Sequence, residues 1–130
     1  MGYDLYITRR ENWFDEEDSL KISLDEWIQI LRNDSEMRLD GFAEAIVSEG
    51  NIFRTESDGL AVWLKYSGNG IDGNYAWLSF SDGNIVCKNP DDEIITKMLE
   101  IAGRLNAKVQ GDECEIYICI SNGKIVAANP

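Results

Sequence analysis

At 130 residues, with 44% hydrophobic and 28% charged residues, the chain has the length and balance of one globular domain, 1–130. That is enough to bury a core without metal or disulfide support. Twenty-four acids against twelve bases give a net charge of -12, a field that repels nucleic acid and anionic lipid and attracts cationic partners at low salt. Histidine is absent, which removes the commonest general base and the usual partner of a nucleophilic Ser or Cys.

In the opening "MGYDLYITRR", Tyr3, Leu5 and Ile7 alternate with Asp4, Tyr6 and Thr8, the period of a half-buried strand. It has no apolar signal-peptide core, and Tyr6 occupies the place where a myristoylation signal needs Ser or Thr. No apolar run approaches the roughly 20 residues that span a membrane, so a cytoplasmic protein is expected. Arg9 to Ser19 then forms a strongly acidic segment, read as an exposed loop. Within it, Trp13 and Phe14 are set among Glu11, Asp15, Glu16, Glu17 and Asp18.

"SLDEWIQILRND" reads as a helix: Ser23 and Glu26 make a capping box, and Leu24, Trp27, Ile28 and Leu31 form one stripe. From Phe42 to Lys88 the period becomes two. Strands are expected at Phe42–Val47, Ile52–Thr55, Ala61–Tyr66, Tyr75–Phe80 and Ile85–Lys88, with Asp82-Gly83 a strong hairpin signal. A second helix follows, with Asn89 expected to cap it, Pro90 at its first position and Asn106 as its stop. Lys108–Gln110 and Glu115–Ile120 read as further strands, with a last short one at Ile125–Ala127. The pattern predicts an α+β fold: an antiparallel β meander of about five to seven strands carrying two helices, in the order β-α-βββββ-α-ββ.

"YSGNGIDGNY", Tyr66 to Tyr75, contains G-x-G-x-x-G. A dinucleotide site needs that motif to open a helix. Here a strand follows, and Asp72 puts negative charge where a phosphate would sit, so the glycines are expected to turn one strand into the next. Asn69, Asp72 and Asn74 do not have the spacing of a calcium loop. Cys87, Cys114 and Cys119 lack metal-ligand spacing and are expected to be buried, reduced thiols, the last two on opposite faces of one strand. No cofactor, metal or catalytic residue is therefore singled out. Recognition is the better supported reading. Trp13, Phe14 and Tyr75 would serve as aromatic anchors, and Glu11, Asp15, Glu16, Glu17, Asp18 and Asp72 as carboxylates facing a basic surface. Trp27, Trp63 and Trp77 are expected in the core.

"MGYDLYITR", "EMRLDGFAEA", "GLAVWLKYSGNGIDGNYAW", "DGNIVCKNPDDEI" and "VQGDECEIY" together resemble a family of small acidic bacterial proteins that begin M-G-Y-D-L-x-I-T-R. The resemblance runs over residues 1–117. In size and charge such proteins look like the immunity proteins of contact-dependent inhibition and other polymorphic toxin systems. That likeness implies a cytoplasmic inhibitor of a cognate toxin domain, basic in character, such as a nuclease. It is a likeness of type and carries over no functional residue. The alternative is a small-molecule-binding domain or cofactor-free enzyme working through carboxylates, which requires a pocket holding an acid with a raised pKa.

Overall fold

The first strand becomes the centre of the sheet. In the computed structural model, which describes residues 3–39, 42–46, 52–56, 59–71, 75–120 and 124–128, the elements run in chain order as follows. Strand β1 (Asp4–Thr8) is followed by a 3-10 turn (Asp18–Leu20) and helix α1 (Leu24–Arg32). Six strands come next: β2 (Met37–Leu39), β3 (Phe42–Ile46), β4 (Ile52–Glu56), β5 (Ala61–Trp63), β6 (Trp77–Ser81) and β7 (Asn84–Lys88). Helix α2 (Asp92–Arg104) leads to β8 (Lys108–Gly111), β9 (Ile116–Cys119) and β10 (Ile125–Ala128). The fold is α+β, with a few more strands than the alternation alone marks out.

Eight strands form one antiparallel sheet in the order β10-β9-β8-β1-β7-β6-β5-β2, and β3 with β4 forms a separate two-stranded ribbon. Consecutive strands pair along β5-β6-β7, the expected meander. However, β1 inserts between β7 and β8, and β2 pairs with β5 across the β3–β4 ribbon. Partners in register share a face. Leu5 opposes Cys87, while Ile7 opposes Ile85 and Val109. This face receives both helices: Trp27 and Leu31 from α1, and Ile94, Ile95, Met98, Ile101 and Ala102 from α2, join Leu78, Ile85 and Val109 in one core. The other face carries Tyr6 opposite Val86 and Gln110.

Local signals fix the helix ends. The Ser23–Glu26 capping box forms as expected. At α2 the cap moves: Asp91, not Asn89, accepts from the Ile94 amide at 3.0 Å. Asn89 instead takes a left-handed φ of 49° and exchanges hydrogen bonds with the backbone of Tyr3, side chain to amide at 2.8 Å and amide to carbonyl at 2.8 Å. Tying β1 to the end of β7 outweighs a cap that Asp91 supplies equally well. Asn106, at φ 52°, ends the helix.

A buried charge network joins α2 to the turn that follows α1. The Lys97 ammonium, almost fully enclosed, lies 2.7 Å from Asp34, 3.3 Å from Glu36 and 3.5 Å from Glu100. Arg104 adds contacts to Asp34 at 3.1 Å and Glu100 at 2.6 Å, and the Trp63 indole donates to Glu36 at 3.1 Å. The network clamps the end of α1 and the start of β2 onto α2.

The remaining expectations divide. Trp27 and Trp63 are in the core, whereas Trp77 is half-buried. Cys87 is buried, and burial, with Asp4 and Asp91 nearby, pushes its thiol up to about 12. Cys119 is exposed, and Cys114 is half-buried in the turn before β9 at φ 67° rather than within a strand, because Gly111 to Glu115 closes tightly there. All three are unpaired thiols. Among the described residues, no helix is long and apolar enough to cross a membrane.

Candidate functional site

The segment after β1 is acidic and surface-lying, but it is firmly fastened. Its anchors are buried polar side chains that lie far apart in sequence: Thr8, Arg10, Asn84 and Gln110. The Arg10 guanidinium donates to the carbonyl of Asp82 at 2.7 Å and to that of Glu17 at 3.3 Å. Gln110 accepts from the Trp13 amide at 2.7 Å and donates to the carbonyl of Glu11 at 3.3 Å, and Lys108 reaches the same carbonyl at 2.7 Å. Asn84 donates to the Trp13 carbonyl at 2.8 Å. Asn12 and Asp15 close a turn between themselves, and Glu17 caps the 3-10 turn through the Ser19 amide and hydroxyl. The Ser19 bonds hold the Glu17 carboxyl below its ordinary range. Upstream, Arg9 pairs with Glu26 and donates to the Leu105 carbonyl, so the segment is tied to both helices. That pairing first, and the Ser23 amide second, depresses the Glu26 carboxyl to about 2.

Hydrogen bonds to a charged donor contribute roughly 1.5–3 kcal/mol each when the partner is otherwise buried. Arg10→Met should therefore cost about 2–3 kcal/mol in urea unfolding, since it strips two carbonyls of one donor. Hydrogen exchange at the Trp13 amide should rise before exchange in α2 does. Unchanged protection at Trp13 would show that Arg10 is not the fastener.

Fastening places Trp13 flat on Tyr6, with ring centroids 4.1 Å apart and planes 1° from parallel. Phe14 meets Trp13 edge-on at 5.3 Å and 88°. The β6–β7 hairpin turns beside them through Asp82 and Gly83, both at positive φ (48° and 80°), as a type I′ turn requires. Gly83 also lies where a Cβ would strike Lys21 and come within 3.0 Å of Arg10, so only glycine fits. Tyr6, Trp13, Phe14, Ser81, Asp82, Asn84 and Val86 line a groove of about 270 Å³.

Of the residues the sequence singles out, Glu11, Phe14, Glu16, Glu17 and Asp18 are exposed on this one segment, and Trp13 and Asp15 are half-buried in it. Tyr75 is exposed and meets Trp77 in a tilted contact, ring centroids 6.0 Å apart, before the start of β6, whereas Asp82 follows its end. It does not join the acidic segment. Asp72 lies outside the described residues. Tyr6, Ser81, Asp82, Asn84 and Val86 are not among the site residues the sequence singles out, because only the insertion of β1 beside β7 brings them to Trp13.

The chemistry available here is hydrogen bonding and charge. Glu17, Glu26, Asp34 and Glu36 are all held below the ordinary carboxylate range by the donors around them. Along β1 and β8–β9 the tyrosines are donors. Burial, then a hydrogen bond to Asp112 at 3.0 Å, pushes the Tyr6 phenol to about 12. Burial and Glu115 do the same for Tyr117, and Tyr3 shares that carboxylate. Among the described residues no group of three or more His, Cys, Asp or Glu side chains is arranged to hold a metal ion.

Fold and site together define a small α+β protein presenting a preorganised acidic segment beside an aromatic groove. Compared with protein families, curated proteins and solved structures, the chain matches none.

Proposed function

We propose that this chain is a binding protein of the immunity type, which docks on a cationic toxin domain in the cytoplasm and blocks it. The observation that carries this reading is the acidic segment itself. Glu11, Glu16, Glu17 and Asp18 stand exposed around Phe14 on a backbone already fixed by Arg10, Asn84 and Gln110. A surface ordered before binding loses little conformational entropy on association, so more of its contact energy becomes affinity. Complementary charge speeds encounter, and a few aromatic anchors supply most of the remaining energy. The net charge of -12 suits a basic partner.

The test is calorimetry and stopped-flow binding against a basic protein domain encoded beside this gene, at about 50 and 500 mM salt. Affinity should fall steeply with salt. The triple variant Glu11→Lys, Glu16→Lys and Asp18→Lys changes only exposed side chains and should slow association by about tenfold or more at low salt. Salt-insensitive binding, or none, would remove this reading.

A further inference from the structure

We infer that the groove between the acidic segment and the β6–β7 hairpin is a seat for one arginine side chain of a basic protein partner. This deepens the docking reading and rests on it. Among the described residues, two buried side-chain polar atoms lack a hydrogen-bond partner, Trp13 Nε1 and Asn84 Oδ1. Both belong to residues that line this groove. Buried polar atoms are paired in the great majority of cases, so two orphans at one site point to a partner outside the chain.

Asn84 decides what that partner offers. It is only 4% exposed, and its Nδ2 is committed to the Trp13 carbonyl. The amide orientation is thereby fixed, and Oδ1 remains as an acceptor. Ser81 and the acidic residue Asp82 also line the groove, and the Asp82 carbonyl is held by Arg10. The groove is therefore rich in acceptors, acidic at its edge and walled by aromatic rings. A guanidinium matches it: planar, permanently charged, with five N–H donors, no acceptor and a face that stacks on aromatic rings. Phe14, 56% exposed, is the outer aromatic wall against which it packs. Trp13 Nε1, a donor, is left for the main-chain carbonyl of the segment that carries the arginine. Lysine offers the charge without the planar fork, and a neutral urea offers the plane without the charge.

The probe is L-argininamide, titrated into the isotopically labelled full chain, with lysinamide and citrullinamide as controls. We expect saturable shifts at the Trp13 indole N–H and the Asn84 side-chain amide with argininamide, at least threefold tighter than with either control. Asp82→Asn keeps a residue that tolerates positive φ and should weaken argininamide binding about two- to fivefold. Phe14→Ala should do likewise. Equal response to lysinamide, shifts scattered over the acidic surface, or no saturable shift at these two groups would each overturn the seat. A chain that binds the basic domain in a salt-sensitive way yet ignores argininamide loses the seat and keeps the docking. A chain that seats argininamide but ignores the basic domain keeps the seat and loses the docking.

Discussion

Replacing Lys97 with methionine should lower the unfolding free energy at pH 7 by about 3–5 kcal/mol, the largest loss expected from a single charge in this protein. The stem keeps its volume, but the Asp34 carboxylate, 5% exposed, loses its nearest cation and keeps only Arg104 at 3.1 Å and the Glu36 amide at 2.9 Å. Removing one member of a buried pair is costly because the other keeps its desolvation penalty. Asp34→Asn with Lys97→Met should recover a large part of the deficit, since neither charge then remains buried.

The pH dependence separates this account from simple loss of packing. Burial tends to raise the Asp34 carboxyl, but the hydrogen bond from Lys97, the Glu36 amide and the two nearby cations outweigh it and hold it below its ordinary range. A depressed carboxylate adds stability that is fully present above its unfolded pKa and is lost as pH falls through its folded pKa. Without Lys97 its hydrogen bond and its charge are both lost, and only the Glu36 amide and Arg104 still oppose burial. The gap between parent and variant should be greatest above about pH 5 and narrow toward pH 3. Lys97 itself, raised by the same partners against the opposing effect of burial, remains charged throughout this range. A deficit that stays constant between pH 7 and 3 would mean that the ammonium fills space and little more.

Lys97 also shows what the sequence makes visible and what it hides. In the stripe Ile94, Ile95, Met98, Ile101 it is a charged residue on the buried face, and a charge there implies an internal partner. The helix is legible, and so is the anomaly. The partner is not, because Asp34 and Glu36 lie 63 and 61 residues away, just beyond the end of a different helix.

The acidic segment follows the same logic. Its charge and its two aromatic residues are plain in one short run. Its rigidity depends on Thr8, Arg10, Asn84 and Gln110, each of which alone reads as an exposed polar residue. Periodicity of two identifies β1, β7 and β8 but says nothing of their order in the sheet, and order is what places Asn84 under Trp13. The three-residue strand β2 is too short for any alternation to register.

Trp27 is the second position where a large effect is expected. It is fully buried, it packs between α1 and the sheet, and its indole donates to the Gly59 carbonyl at 2.7 Å. Trp27→Ala should cost about 3–5 kcal/mol, as deletion of a buried large ring generally does. Trp27→Phe keeps most of the ring and leaves the Gly59 carbonyl unpaired, for about 1–2 kcal/mol. Gly59 meets the same edge of the ring closely: at φ 82°, a Cβ there would lie 2.9 Å from Phe80 Cβ and 3.0 Å from both Leu24 Cδ1 and Trp27 Cδ1. Gly59→Ala combines a left-handed residue with overpacking and should cost about 2–3 kcal/mol. In the Trp27→Ala background one of those three walls is gone, so the alanine gains room that the parent denies it. The double variant should be more stable than the summed single losses imply, by at least about 0.5 kcal/mol. Strict additivity in urea unfolding would show that the indole exerts no pressure on residue 59.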